Sequence, residues 1–174
     1  GSRPRKPKIP GINLKSIYTL KTFDDAMNIN AKLKPTSHVV IYGAGFIGME
    51  VAAYCIDKVA KVTIIDKNSG PLVETFGKSI SQKIMELFKS KNIHLIMECE
   101  IRSFVGIIQE EYLSAIKLSN GDFLKADICI LGLGTKLNTN FLRNSGILLN
   151  SNGSIDANFH LETNMPSIYV GGDI

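Results

Sequence analysis

The chain has 174 residues, 44% of them hydrophobic, which suits one domain, or one and a fraction, with a real core. Its net charge of +4 is modest, Arg3, Arg5, Lys6 and Lys8 crowd the first eight positions, and no tryptophan or aromatic-interleaved basic stripe occurs, so a nucleic-acid partner has little support. No apolar run reaches the roughly 18 residues of a membrane span, and Cys55, Cys99 and Cys129 form no C-x-x-C pair, which argues against a redox dithiol or zinc site and for a reduced intracellular protein, cytoplasmic or mitochondrial.

Residues 1–13, with most of the early prolines, read as an extended linker. Thr22 fits an N-cap, with Asp24 and Asp25 in the first turn of a helix running to about Leu33, where Pro35 stops it. Val39 to Tyr42 is a β-branched apolar run, Gly43-Ala44-Gly45-Phe46-Ile47-Gly48 follows, and a helical pattern continues from there. Val62-Thr63-Ile64-Ile65 is a second buried strand ending at Asp66. A loop through Gly70-Pro71 leads to an amphipathic helix over about 78–90, with Ile80, Ile84, Leu87 and Phe88 on one stripe. Ile93 to Met97 is a third short strand. Strand-like pieces near 100–108, 111–118 and 122–124, with Asn120-Gly121 as the hairpin turn, predict an inserted antiparallel meander. Asp127 to Leu131 returns as a buried strand, Gly132-Leu133-Gly134 follows, and a last strand is expected at Ile168-Tyr169-Val170. Cys55 falls on the sheet-facing side of the first-motif helix and Cys129 inside the buried strand, so both are expected in the core. The fold class is α/β: a Rossmann-like parallel sheet with helices on both faces and a three-stranded antiparallel meander inserted.

The chemistry resides in the segment from 38 to 66. Strand, G-x-G-x-x-G, helix, second strand and terminal acid form a dinucleotide-binding βαβ unit. Gly43 permits the tight turn, Gly45 lets backbone approach a pyrophosphate, and Gly48 lets the helix pack on the strand. The helix start aims free N–H groups and a positive dipole end at the phosphates. Asp66 is placed to accept hydrogen bonds from the adenosine ribose hydroxyls and to repel a 2′-phosphate, which favours NAD(H) over NADP(H); the adjacent Lys67 works against that preference. His38, His94 and His160 are scattered, and no Tyr-x-x-x-Lys occurs, which speaks against an ordinary single-domain dehydrogenase.

The chain opens with Gly1-Ser2-Arg3-Pro4 and closes with Thr163, Tyr169, Gly171, Gly172 and Asp173 in the pattern T-x5-Y-x-G-G-D. With the central glycine motif, these ends resemble the pyridine nucleotide–disulfide oxidoreductase superfamily, the flavoproteins with two dinucleotide-binding domains. The resemblance implies that residues 1–20 arrive from an FAD domain outside this chain, that 21–162 are the NAD(H)-binding domain, and that 163–174 begin the return to the FAD domain. It implies that Asp173 binds the FAD ribityl chain and that Gly132 and Gly134 form a second glycine motif near the nicotinamide half. The usual x-x-P-N continuation is replaced by Leu137-Asn138 without the proline. It further implies that Glu50 lies near the nicotinamide carboxamide and that Phe46 and Ile47 line the nicotinamide passage; a first-turn carboxylate is also favoured by the helix dipole alone. The candidate cofactor-binding residues are thus Gly43, Ala44, Gly45, Phe46, Ile47, Gly48, Glu50, Asp66, Lys67, Gly132, Gly134 and Asp173, with no catalytic side chain and no metal ligand. The run Phe46 to Tyr54 with Asp57-Lys58, and Phe141 to Ile147, look like the apoptosis-inducing-factor-like and ferredoxin-reductase-like branch, one group of which carries a Rieske iron–sulfur domain. The implied activity is hydride transfer from NADH to FAD and electron transfer onward to an iron–sulfur protein or 2Fe-2S domain. The alternatives are a non-catalytic NAD(H)-binding or signalling module, and a disulfide reductase or NADH oxidase of the same superfamily.

Overall fold

A computed structural model describes residues 1–107 and 111–174. The chain divides into a larger unit, residues 6–133, and a smaller one formed by residues 1–5 and 134–174.

The larger unit is built on five parallel strands: β2 (Ile17–Thr19), β3 (His38–Tyr42), β4 (Lys61–Ile65), β5 (His94–Ile96) and β9 (Ile128–Leu131), in the order β2-β9-β3-β4-β5. Between them run helices α1 (Phe23–Asn30), α2 (Phe46–Cys55) and α3 (Val73–Ser90), and the strands β6 (Ile101–Gly106), β7 (Leu113–Leu118) and β8 (Phe123–Lys125). The last three form the expected antiparallel meander, in the order β6-β7-β8, with Gly121 in the hairpin turn at a φ of 94°. Residue 108 of the expected first meander strand lies outside the described residues.

The period-2 alternation of the buried strands sorts the core into two layers. Val39, Ile41, Val62, Ile64, Ile128 and Ile130 point to one face, where Ile29 of α1, Met49, Ala52 and Cys55 of α2, and Ile84 and Phe88 of α3 pack. Val40, Tyr42, Ile65, Cys129 and Leu131 point to the other, against Phe104, Leu113, Ile116 and Leu118 of the meander. The helices therefore all cover one face. The expectation of helices on both faces is corrected: the meander supplies a ready apolar layer and takes the place of helices on the second face.

Cys55 and Cys129 are fully buried, as expected. Burial pushes the Cys55 thiol up to about 11, with Lys58 pulling the other way, and pushes Cys129 up as well.

Other boundaries also differ. Residues 1–20, expected as a linker, hold β2, which pairs parallel with β9, Ile17 beside Cys129, and β1 (Ser2–Pro4), described below. Helix α1 has the expected capping box: the Thr22 hydroxyl accepts the Asp25 N–H at 3.1 Å and the Asp25 carboxylate accepts the Thr22 N–H at 2.9 Å. It stops at Asn30 rather than Leu33 because Lys32 and Leu33 turn back to the carbonyls of Ile29 and Asn30, a tightened last turn. The helix expected over about 78–90 is present, beginning just after Gly77, whose φ of 76° and ψ of 173° are not helical; a short helical turn at 73–76 precedes that break, and the two together make up α3. On its stripe only Ile84 and Phe88 reach the core; Ile80 and Leu87 are exposed, and buried Ser81 takes the place facing inward.

In the smaller unit β1 pairs antiparallel with β10 (Thr135–Leu137), Ser2 opposite Leu137. The rest is turns and one short 3₁₀ segment, Asn140–Leu142. The strand expected at 168–170 is absent: Tyr169 makes a single bridge to Glu162, too little pairing to extend into a ladder.

Candidate functional site

Strand β3 delivers Tyr42 and the glycine turn to the C-terminal edge of the parallel sheet, between β9 and β4, where ligands bind in open α/β sheets. Gly43 stands at a φ of 114°, which a side chain rarely tolerates, and a Cβ there would collide with the Gly132 carbonyl. A Cβ on Gly48 would collide with the Gly43 carbonyl. One on Gly132 would stand 3.4 Å from the Gly43 oxygen and from the Gly48 backbone. Three glycines from β3, α2 and the end of β9 thus pack main chain against main chain. Gly45 is different: nothing lies within 4 Å of where its Cβ would be. It is also the N-cap of α2, so no side chain caps the helix, and the first amides of α2 are left for an external acceptor.

These elements line a cleft of about 320 Å³ bordered by Gly43, Ala44, Gly45, Phe46, Asp66, Lys67 and Gly132. Asp66 ends β4 at the cleft, and its carboxylate accepts the Ala44 N–H at 2.6 Å and the Asn68 N–H at 2.8 Å. The far lip is formed by Leu72, Val73, Glu74 and Thr75 at the start of α3. Leu72 is left-handed, at a φ of 52°, and its N–H donates to the Ala44 carbonyl at 3.0 Å. Phe76 of α3 meets Phe46 of α2 edge to face, with ring centroids 5.8 Å apart. Tyr42 forms part of the cleft wall, and burial raises its hydroxyl pKa.

Of the sequence-derived candidates, the structure gathers Gly43, Ala44, Gly45, Phe46, Asp66, Lys67 and Gly132 around this cleft, with Gly48 packed beneath the turn. Ile47 and Glu50 line a separate hollow of about 460 Å³ between α1 and α2, with Leu20, Met27 and Tyr54. Gly134 and Asp173 belong to the smaller unit, where Gly134 precedes β10 and the Asp173 carboxylate accepts the Ser2 hydroxyl at 2.9 Å. Asn68 and the 72–76 segment were not foreseen at the cleft. The Gly70-Pro71 pair after Asp66 was the available signal, since it marks a turn directly after the strand that carries the acid. Among the described residues no cluster of metal-ligating side chains occurs and no helix is long and apolar enough to cross a membrane.

Three features of the cleft bear on a dinucleotide ligand: the uncapped start of α2, the open space at Gly45, and a carboxylate at the end of the second strand. All three fit the ADP half of the cofactor.

The comparisons with known proteins agree. Human apoptosis-inducing factor 3 is 33% identical over 173 residues, 99% of this chain and 28% of that protein. The covalent putidaredoxin reductase–putidaredoxin complex superposes on 99% of this chain and 42% of the other at 26% identity and a TM-score of 0.93. The water-forming NADH oxidase from Lactobacillus brevis, bound to NADH, covers 97% of this chain and 36% of the other at 25% identity, with a TM-score of 0.87. The chain thus spans well under half the length of these relatives. The profile of the pyridine nucleotide-disulphide oxidoreductase family matches residues 1–174, and the chain belongs to that family.

Proposed function

We propose that this chain is the NAD(H)-binding part of an FAD-dependent oxidoreductase, in which hydride passes from NADH to an FAD held by a domain outside it and electrons continue to an iron–sulfur protein or domain. The observation that carries the reading is Asp66 at the mouth of the glycine-turn cleft, a carboxylate fit to accept ribose hydroxyls and unfavourable to a 2′-phosphate. When bound, the nicotinamide supplies the hydride chemistry. The chain's own residues bind and orient: the α2 amides hold the pyrophosphate, Gly45 keeps main chain within reach of it, and Asp66 selects the adenosine end. Ile47 and Glu50 would face the nicotinamide half, and Gly132, Gly134 and Asp173 keep the roles that the resemblance implies.

Residues 21–162 are proposed as the NAD(H)-binding domain, 1–20 as its approach from the FAD domain and 163–174 as the return. Phe141, Phe159 and Tyr169 of the smaller unit are largely exposed, which suits a surface that a further domain would cover. A protein electron acceptor is supported by the relative captured with putidaredoxin. Three unpaired, buried cysteines suit a reducing cytoplasmic or mitochondrial setting. The likeness to an NADH oxidase favours a second reading, in which the flavin delivers electrons to a small oxidant instead.

The test is calorimetric titration of the chain with NADH and with NADPH, repeated on Asp66→Ala. Tighter binding of NADH, with the preference lost on substitution, is expected. Equal binding of both by the unmodified chain would overturn the role of Asp66. A flavin absorption band in the full-length protein separates either redox reading from a flavin-free NAD(H) module.

A further inference from the structure

We propose that Asp66 is a positioning residue for the glycine turn as well as a ribose contact, so that cofactor choice and the order of the turn reside in one side chain. The turn needs such a restraint. Ala44 is flanked by Gly43 and Gly45, and glycine-flanked backbone has unusual freedom. The structure fixes the Ala44 peptide from both sides: its N–H donates to Asp66 Oδ2 at 2.6 Å and its carbonyl accepts the Leu72 N–H at 3.0 Å. Asp66 is itself held firmly. Its N–H donates to the Ile96 carbonyl at 3.1 Å, and its own carbonyl accepts the Cys99 N–H at 2.9 Å. Its second oxygen, Oδ1, takes the Asn68 N–H at 2.8 Å. The carboxylate therefore ties the glycine turn to the end of β4 and to the loop that carries Lys67.

An ionised carboxylate offers about four acceptor positions, and these two amides occupy only one on each oxygen. Ribose hydroxyls can add to the same group without displacing either amide. Hydrogen bonds to an ionised acceptor are also stronger than neutral ones, which is why a carboxylate suits this position better than an amide. A substitution that admits a 2′-phosphate by removing the charge also releases the turn that cradles the pyrophosphate.

The part concerning the ribose rests on the function proposed above; the part concerning the turn does not, and the experiment separates them. Amide hydrogen exchange is followed by NMR in the cofactor-free 174-residue chain and in Asp66→Ala and Asp66→Asn. In Asp66→Ala the Ala44 and Asn68 amides are expected to exchange about tenfold faster, while amides inside the β3–β4 pairing stay unchanged. In Asp66→Asn only one of the two amides should accelerate, because the side-chain carbonyl still accepts and the NH₂ cannot. Unchanged Ala44 and Asn68 exchange in Asp66→Ala overturns the proposal. So does equal acceleration of both in Asp66→Asn, which would reflect lost charge alone; that variant carries the test by itself if Asp66→Ala does not fold. NADH and NADPH titrations of the same variants read the ribose contact independently: a lost preference with unchanged exchange leaves the ribose reading standing and removes this one.

Discussion

The two units of the chain are built by different means. In the larger, β3, β4 and β9 are buried along nearly their whole length, and both faces of the sheet are sealed by packed side chains. In the smaller, order rests on a three-residue strand pair and on polar turns such as the Thr139 hydroxyl donating to the Gly153 carbonyl at 2.7 Å, while Phe141, Leu148 and Phe159 stand in solvent. Apolar burial, at roughly 25 cal/mol per Å², is the main force that orders a chain. The first unit carries its own stabilisation, and the second holds its shape by hydrogen bonds and leaves much of its apolar surface exposed.

Paired substitutions can break or sharpen that contrast. Ile64→Ala, deep between α2 and the sheet, should cost about 3–4 kcal/mol in denaturant unfolding, and Phe159→Ala in the smaller unit should stay within about 0.5 kcal/mol. Comparable costs for both would show that the smaller unit contributes to the cooperative core after all. Within the larger unit, the glycines of one motif should separate as sharply. Gly48→Ala drives a methyl into the Gly43 carbonyl and should cost about 3 kcal/mol of stability. Gly45→Ala meets no neighbour at a φ of −81° and should change stability by less than about 0.5 kcal/mol, yet weaken NADH binding about tenfold. Thermal melts with parallel titrations would check both, and unfolding by Gly45→Ala would contradict the assignment of that position to the ligand. A modest effect is expected at Thr22→Ala, which removes the capping box of α1 and should cost about 1 kcal/mol, visible as a shift of the unfolding midpoint without a change in slope.

The contrast also explains what could be read from the sequence. The unit β3–α2–β4 was legible because its signals are local: an apolar run, three glycines at fixed spacing, and an acid at the end of the next strand. The meander was legible from its Asn120-Gly121 turn. Strand β2 was not, because Ile17, Tyr18 and Thr19 are defined by a partner more than a hundred residues away rather than by their neighbours. The helix after Gly77 was legible from its stripe, but the short turn at 73–76 ahead of it was not, because Gly77 breaks the helical pattern and the left-handed conformation of Leu72 is required by no local rule. Which layer covers the second face of the sheet is a matter of tertiary competition, and amphipathic periodicity is silent on it. At the cleft, the glycines and Asp66 followed from chemistry, but the bonds from Asp66 to Ala44 and Asn68, and the facing of Phe46 by Phe76, needed three dimensions.

The pairing of Ile17–Thr19 with β9 has a practical side. A shortened form that begins at residue 21, where the helical pattern starts, would remove β2 and leave the edge of β9 that pairs with it, opposite β3, without a partner. An unpaired, apolar strand edge is a template for joining another chain. Such a form would tend to associate sheet to sheet, and its loss of solubility would be easily mistaken for a failure of the dinucleotide cleft itself.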